Sequence, residues 1–167
     1  MGVGRLKLRG PLIGVIGAGS CSAAIAELAY EVGREIARHN GVLVCGGLGG
    51  VMAAAARGAK EQGGFTVGIL PGPNIGEANA YIDFPVATNM SHARNAIIVR
   101  TAEVLIAVAG SYGTLAEMAL ALKIGKGVVA IKPQFSVPGV RLASSPADAV
   151  KQALALLDAG RRHSTSE

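Results

Sequence analysis

An α/β fold built on a doubly wound parallel sheet is the class this sequence predicts. Three observations point to it. Short apolar runs alternate with segments of helical period. The links between them are short, as in consecutive βαβ units. The strand candidates are apolar at nearly every position, which suits strands covered on both faces. Right-handed crossovers then give a Rossmann-like three-layer sandwich.

Leu12–Gly17 (LIGVIG) is predicted as the first buried strand. Residues 22–40 put Ile25, Leu28, Ala29, Val32 and Ile36 on one helical face, with Glu27, Glu31, Arg34, Glu35 and Arg38 outside. Asn40-Gly41 is a helix stop. Val42–Cys45 reads as the second strand, 50–62 as a helix of small residues ended by Gly63-Gly64, and Phe65–Leu70 as the third strand. Residues 71–79 (PGPNIGEAN) form a loop, and 81–87 a short strand or extended segment. A helix over 91–102 leads to the wholly apolar strand Val104–Val108. A helix over 114–124 stops at Gly125, and the strand Val128–Ile131 follows. After a loop around residues 133–138, a closing helix over 146–159 leads to a loose tail.

The chain has 167 residues and a formal net charge of +5. That length suits one domain, here taken as 1–167, with a core of about 11–159 and a loose tail from 160 to 167. Half of the residues are hydrophobic and 16% are charged, which excludes a disordered chain. The 24 glycines have no three-residue period, which excludes collagen. With no Trp and only three Tyr and three Phe, an aromatic platform for single strands is not expected. Lys and Arg are spread along the chain, apart from small groups at residues 5–9 and 161–162, so a nucleic-acid partner is not expected either. Cys21 and Cys45 cannot build a disulfide framework and read as free thiols in a reducing compartment. The three His are scattered without zinc spacing, so no metal site is expected.

The uncharged stretch 10–26 is too short and too polar to span a membrane. Arg5, Lys7 and Arg9 imitate the start of a secretory signal, but the apolar stretch behind them is only residues 12–16. A cytoplasmic location is expected. The helices carry Ala and Gly on several sides, which suits close packing against a second copy, so a homo-oligomer (dimer or tetramer) is expected.

In an open parallel sheet, ligands bind outside the carboxyl ends of the strands. Here those ends are glycine-rich: Gly17-Ala-Gly19-Ser20, Gly46-Gly47-Leu-Gly49-Gly50, Pro71-Gly72-Pro73 and Ala109-Gly110-Ser111-Tyr112-Gly113-Thr114. Glycine also serves tight turns. Several such turns opening onto helices nonetheless gather bare N–H groups on one rim, an arrangement that binds phosphate. A dinucleotide fingerprint is incomplete, since Ser22 stands where its third Gly belongs and no acidic residue ends the second strand. No phosphate-loop motif with Gly-Lys-Ser/Thr is present.

Glu117 has two readings. Thr114-Leu-Ala-Glu117 has the form of a capping box, and pattern alone favours that one. Otherwise the carboxylate faces a ligand as a general base or a ribose-binding group. Arg94 is either an exposed helix Arg or a guanidinium clamp for phosphate. His92 is read as partly buried and polar rather than catalytic. Asn74 and Asn79 either touch ligand or shape their loop. Cys45 is read as a small core residue.

The run from Cys45 to Met52 (CGGLGGVM), Arg94, and the run from Ala109 to Glu117 (AGSYGTLAE) resemble the lonely-guy superfamily of Rossmann-like proteins. Its hydrolase members cleave nucleoside 5′-monophosphates to free base and ribose 5-phosphate. Their signature is Pro-Gly-Gly-x-Gly-Thr-x-x-Glu, with an upstream Arg-Lys. The resemblance implies that Arg94 and Glu117 are catalytic and that Gly110, Gly113 and Thr114 form the phosphate-binding turn, with Ser111 beside them. Three positions depart from it: Ala109 for Pro, Ser111 for Gly, and Asn95 for Lys. The stretches 71–74 (PGPN), 77–79 (EAN), 93–95 (ARN) and 113–117 (GTLAE) are more similar to another branch, the molybdenum cofactor carrier proteins. These bind a pterin with a terminal phosphate and carry out no reaction of their own.

The resemblance covers roughly residues 11–131. It implies a binder of a phosphate-bearing nucleotide or pterin, with no resident cofactor and the molybdenum cofactor as cargo. The expected ligand-binding residues are Gly17, Gly19, Ser20, Gly46, Gly47, Gly49, Asn79, Gly110, Ser111, Gly113 and Thr114. A nucleoside-monophosphate phosphoribohydrolase is the alternative. A more distant similarity to DNA-processing proteins of natural transformation keeps nucleic-acid binding as a third.

Overall fold

The computed structural model describes residues 10–164, with side chains described as far as residue 161. Its strands are β1 (Leu12–Gly17), β2 (Val42–Cys45), β3 (Phe65–Leu70), β4 (Phe84–Ala87), β5 (Val104–Val108), β6 (Val128–Ile131) and β7 (Arg141–Leu142). Its α-helices are α1 (Ala23–Arg38), α2 (Val51–Glu61), α3 (Asn95–Thr101), α4 (Tyr112–Lys123) and α5 (Pro146–Ser164). Short 3₁₀ turns lie at Ile75–Glu77 and Ser91–Arg94. The strands form one parallel sheet in the order β4-β3-β2-β1-β5-β6-β7. The doubly wound α/β fold expected from the sequence is therefore the fold observed.

The pleat sends alternate side chains to opposite faces. Ile13, Val15, Leu43, Val104 and Ile106 pack with Val32 and Ile36 of α1, Ala55 of α2 and Val150 of α5. Ile16, Val44, Leu105, Ala107 and Val128 pack with Ile98 of α3 and Met118 of α4. Three layers result. Each fully buried aliphatic side chain contributes on the order of 1.5–3 kcal/mol.

Loop geometry then places the rim. Ser22 caps α1 by accepting the Ile25 N–H at 3.3 Å. Gly50 precedes α2 at φ +59°, where a Cβ would lie 2.3 Å from the Ala18 carbonyl oxygen. Only glycine fits there. The Val51 N–H donates to that same oxygen at 3.0 Å, which ties the start of α2 to the end of β1.

The structure corrects several boundaries. The extended segment at 81–87 is a strand only from Phe84. Before it, Thr66 Oγ1 donates to Tyr81 O and accepts the Asp83 N–H, which also reaches Thr66 O at 3.2 Å, so side-chain bonds supplement a single backbone bond. The helix at 91–102 divides into a 3₁₀ turn and α3, with Ser91 at φ +50°. β7 lies between the expected loop around 133–138 and the closing helix, where no element was expected; its two residues are both exposed and leave no apolar run to read. The loose tail from 160 is helical as far as Ser164. An ion pair from Arg161 to Glu103 at 3.0 Å holds that last stretch of α5 against the body. Arg5, Lys7 and Arg9 lie outside the described residues. Among the described residues no helix is long and apolar enough to cross a membrane, and no group of three or more His, Cys, Asp or Glu could hold a metal ion.

Candidate functional site

β1 has β2 on one side and β5 on the other, so the chain reverses its winding at β1. A crevice opens at the carboxyl ends of strands at such a point. Here it is a cavity of about 310 Å³, walled by Gly17 and Gly19 after β1, Gly46 after β2, Arg94, and Ser111 and Glu117 of the α4 region.

Arg94 ends the 3₁₀ turn and is only 9% exposed. Its Nη2 donates to Gly46 O at 3.4 Å and its Nη1 to Asn95 Oδ1. Its Nε is buried with no partner. Such an orphaned donor is expensive unless something completes it. Burial pushes the guanidinium pKa down, and the nearby Glu117 and Cys45 oppose that shift. Gly46 makes the room: a Cβ there would sit 2.6 Å from both Arg94 Nη2 and Met52 Sδ.

Glu117 lies in the second turn of α4 and is 6% exposed. It makes no hydrogen bond and no ion pair within 4 Å. Burial raises its pKa to about 7, and the positive charge of Arg94 offsets only part of that rise.

The capping-box reading is overturned. α4 begins at Tyr112, two residues before the expected start, with Ser111 at the cap position and no side-chain cap bond. Ala109 at φ +48° and Gly110 at φ +99° turn the chain early. Thr114 is thus the third helical residue, 3% exposed and packed under Gly110. The first helical bond runs from the Leu115 N–H to Ser111 O at 2.9 Å. The N–H groups of Tyr112, Gly113 and Thr114 have no acceptor and point out of the helix start. They and the helix dipole make an anion site.

Of the residues expected from sequence, Gly17, Gly19, Gly46, Arg94, Ser111, Gly113, Thr114 and Glu117 surround this one cavity. Ser20 and Gly110 border a neighbouring cavity instead. Gly47, Gly49 and Asn79 line neither cavity. Asn79 is a strut: its Nδ2 donates to Gly47 O at 3.2 Å and Leu48 O at 2.8 Å. Asn74 Oδ1 accepts the Gly76 N–H at 2.8 Å within its own loop. Cys45 is buried, and burial raises its thiol to about 11.

Sequence reasoning missed three wall residues. His92 is exposed rather than partly buried and lines the cavity, as do Asn95 and Met52. Adjacency to Arg94 in sequence was the available signal for the first two. Met52 ends the quoted glycine-rich run, but no pattern distinguishes its thioether from core.

Residues 10–157 match the model of the SLOG cluster4 family. The chain is 49% identical over 138 residues to an uncharacterized protein of Archaeoglobus fulgidus, covering 83% of this chain and 91% of that one. It is 33% identical over 129 residues to the cytokinin riboside 5′-monophosphate phosphoribohydrolase of Mycobacterium tuberculosis, covering 71% of this chain and 68% of that one. It spans only 38–42% of the longer rice phosphoribohydrolases it also matches. Among solved structures, the molybdenum cofactor binding protein of Rippkaea orientalis superposes with a TM-score of 0.84 at 35% identity, over 89% of this chain and 98% of that one. With its doubly wound sheet and these matches, the chain belongs to the SLOG cluster4 family, within the superfamily that includes the lonely-guy phosphoribohydrolases and the molybdenum cofactor carriers.

Proposed function

We propose that the protein binds a small phosphate-bearing ligand, a pterin or a nucleotide, at the carboxyl rim of the sheet, as a molybdenum cofactor carrier does. The observation that carries this is Arg94 and Glu117, both buried and incompletely partnered, facing one cavity with the open start of α4. The free N–H groups of residues 112–114 suit a terminal phosphate. Arg94 Nε supplies a further donor. The carrier reading draws support from the departures at Ala109, Ser111 and Asn95 and from the likeness to the Rippkaea protein along nearly its whole length. The molybdenum cofactor is then cargo, held through its phosphate.

One observation favours the phosphoribohydrolase reading. A carboxyl with a pKa of about 7 exchanges its proton near neutral pH, as a general acid or base needs. In that reaction water adds to the anomeric carbon and the base leaves with a proton, giving base and ribose 5-phosphate. Glu117 would position the water or hold the ribose, and Arg94 would orient the phosphate.

The test is incubation of purified protein with AMP, with free adenine read by chromatography and Glu117→Gln as control, beside an assay of the purified protein for pterin by fluorescence after oxidation. The expected result is no adenine above the Glu117→Gln background, with pterin bound. Adenine from wild type alone transfers the assignment to the hydrolase. No pterin, no turnover and no AMP binding by calorimetry would defeat both readings.

A further inference from the structure

The Arg94–Glu117 cavity is not alone on the rim. Ala18 and Ser111 line both it and a second concavity of about 270 Å³. The two adjoin there as neighbouring lobes, and Ser111, which precedes the first residue of α4, lies at their junction. The second lobe is opened by another helix start. Past the Ser22 cap, the first bond of α1 runs from the Ala26 N–H to Ser22 O at 2.9 Å, which leaves the N–H groups of Ala23 and Ala24 without acceptors.

The lobes differ in chemistry. The first holds the charged pair Arg94 and Glu117, both buried. The second has no charged side chain in its wall. Ser20, Cys21, Ser22 and Gln134 supply neutral polar groups, and Ile25 and Val51 supply apolar surface. A phosphomonoester seated at α4 would fill the first lobe and leave the second to water.

Building on the binding reading above, we propose that the two lobes together take a ligand with a group on each side of its phosphate, a phosphodiester or pyrophosphate such as a dinucleotide. The phosphate lies at their junction, between the two helix starts. One moiety reaches the Arg94–Glu117 lobe, and an uncharged one occupies the Ser20–Gln134 lobe.

Cys21 is a reporter inside the second lobe. It is half-buried, whereas Cys45 is wholly buried with its thiol raised to about 11 and alkylates slowly. The probes are diadenosine pyrophosphate and AMP, each at a saturating concentration fixed by calorimetry. Diadenosine pyrophosphate should slow iodoacetamide labelling of Cys21 about tenfold, whereas AMP should change it by less than about twofold. Gln134→Trp, which narrows the second lobe from an exposed loop position, should raise the ratio of the two dissociation constants (pyrophosphate over AMP) about tenfold. Equal protection by both probes would overturn the proposal. So would two probes that bind without protecting Cys21, or a Gln134→Trp ratio that does not move. Those outcomes leave the binding reading standing. If neither probe binds, the proposal fails, and the binding reading fails with it only if the pterin assay is negative too.

Discussion

Glu117 is a carboxyl held where its charge is opposed. Its pKa of about 7 in the folded chain lies above the usual value near 4.5, mainly because burial removes water from it. Below the lower value it is protonated in both states and no penalty arises. As the pH rises towards 7 the unfolded chain gives up the proton first. The native state therefore loses stability, by up to about 3 kcal/mol above pH 7. Glu117→Gln cannot ionise. In urea unfolding it should gain on wild type between pH 5 and pH 8, by up to that amount. A difference that stays constant over this window would show that the carboxyl is solvated. At the residue scale Glu117 stood beside the glycine-rich end of β5, though pattern alone favoured a cap, whereas Arg94 has no glycine near it in sequence and was singled out by the family resemblance. His92 was misjudged because exposure depends on the 3₁₀ turn that carries it, and no short-range pattern specifies that turn.

At the scale of elements, α1 and α2 meet through two glycines. A Cβ on Gly33 would lie 1.9 Å from Ala55 O, and one on Gly58 would lie 2.0 Å from Tyr30 O. Both obstacles are backbone, so relief requires the helices to separate. Gly33→Ala should cost about 3 kcal/mol or abolish folding. The same change at Gly160 in α5, where an added Cβ meets nothing within 4 Å, should instead stabilise by up to about 1 kcal/mol through helix propensity. Urea midpoints of the two variants decide it. Equal effects would mean that the glycines of the α1–α2 crossing are incidental. The helices themselves were legible from their periods. This close crossing was not, since a glycine in a helix gives no sign of whether another backbone lies against it. The early start of α4 was hidden for a related reason. Thr-x-x-Glu fits a capping box, but the positive φ angles at Ala109 and Gly110 move the first turn two residues upstream.

At the scale of the whole molecule, the inner strands were legible because each is an apolar run covered on both faces. The edges were not: β7 is two exposed residues, and β4 is mostly exposed and shorter than its extended segment. The rim could be located without them, since the reversal of winding at β1 depends only on the inner strands. Placing a buried cation at that reversal couples binding to the stability of the entire fold. Arg94 is desolvated and its Nε is unmatched, costs that offset what its charge gains from Glu117 in the free protein. Arg94→Ala should leave the unliganded chain within about 1 kcal/mol of wild type. A ligand that binds only the folded chain stabilises it by about 2.7 kcal/mol at one hundred times its dissociation constant. AMP at that multiple of the wild-type constant should thus raise the urea midpoint of wild type and leave that of Arg94→Ala nearly unchanged. If Arg94→Ala is unfolded without ligand, Arg94 holds the fold together. If AMP stabilises both chains equally, the phosphate is gripped by the helix start alone and Arg94 leaves the site.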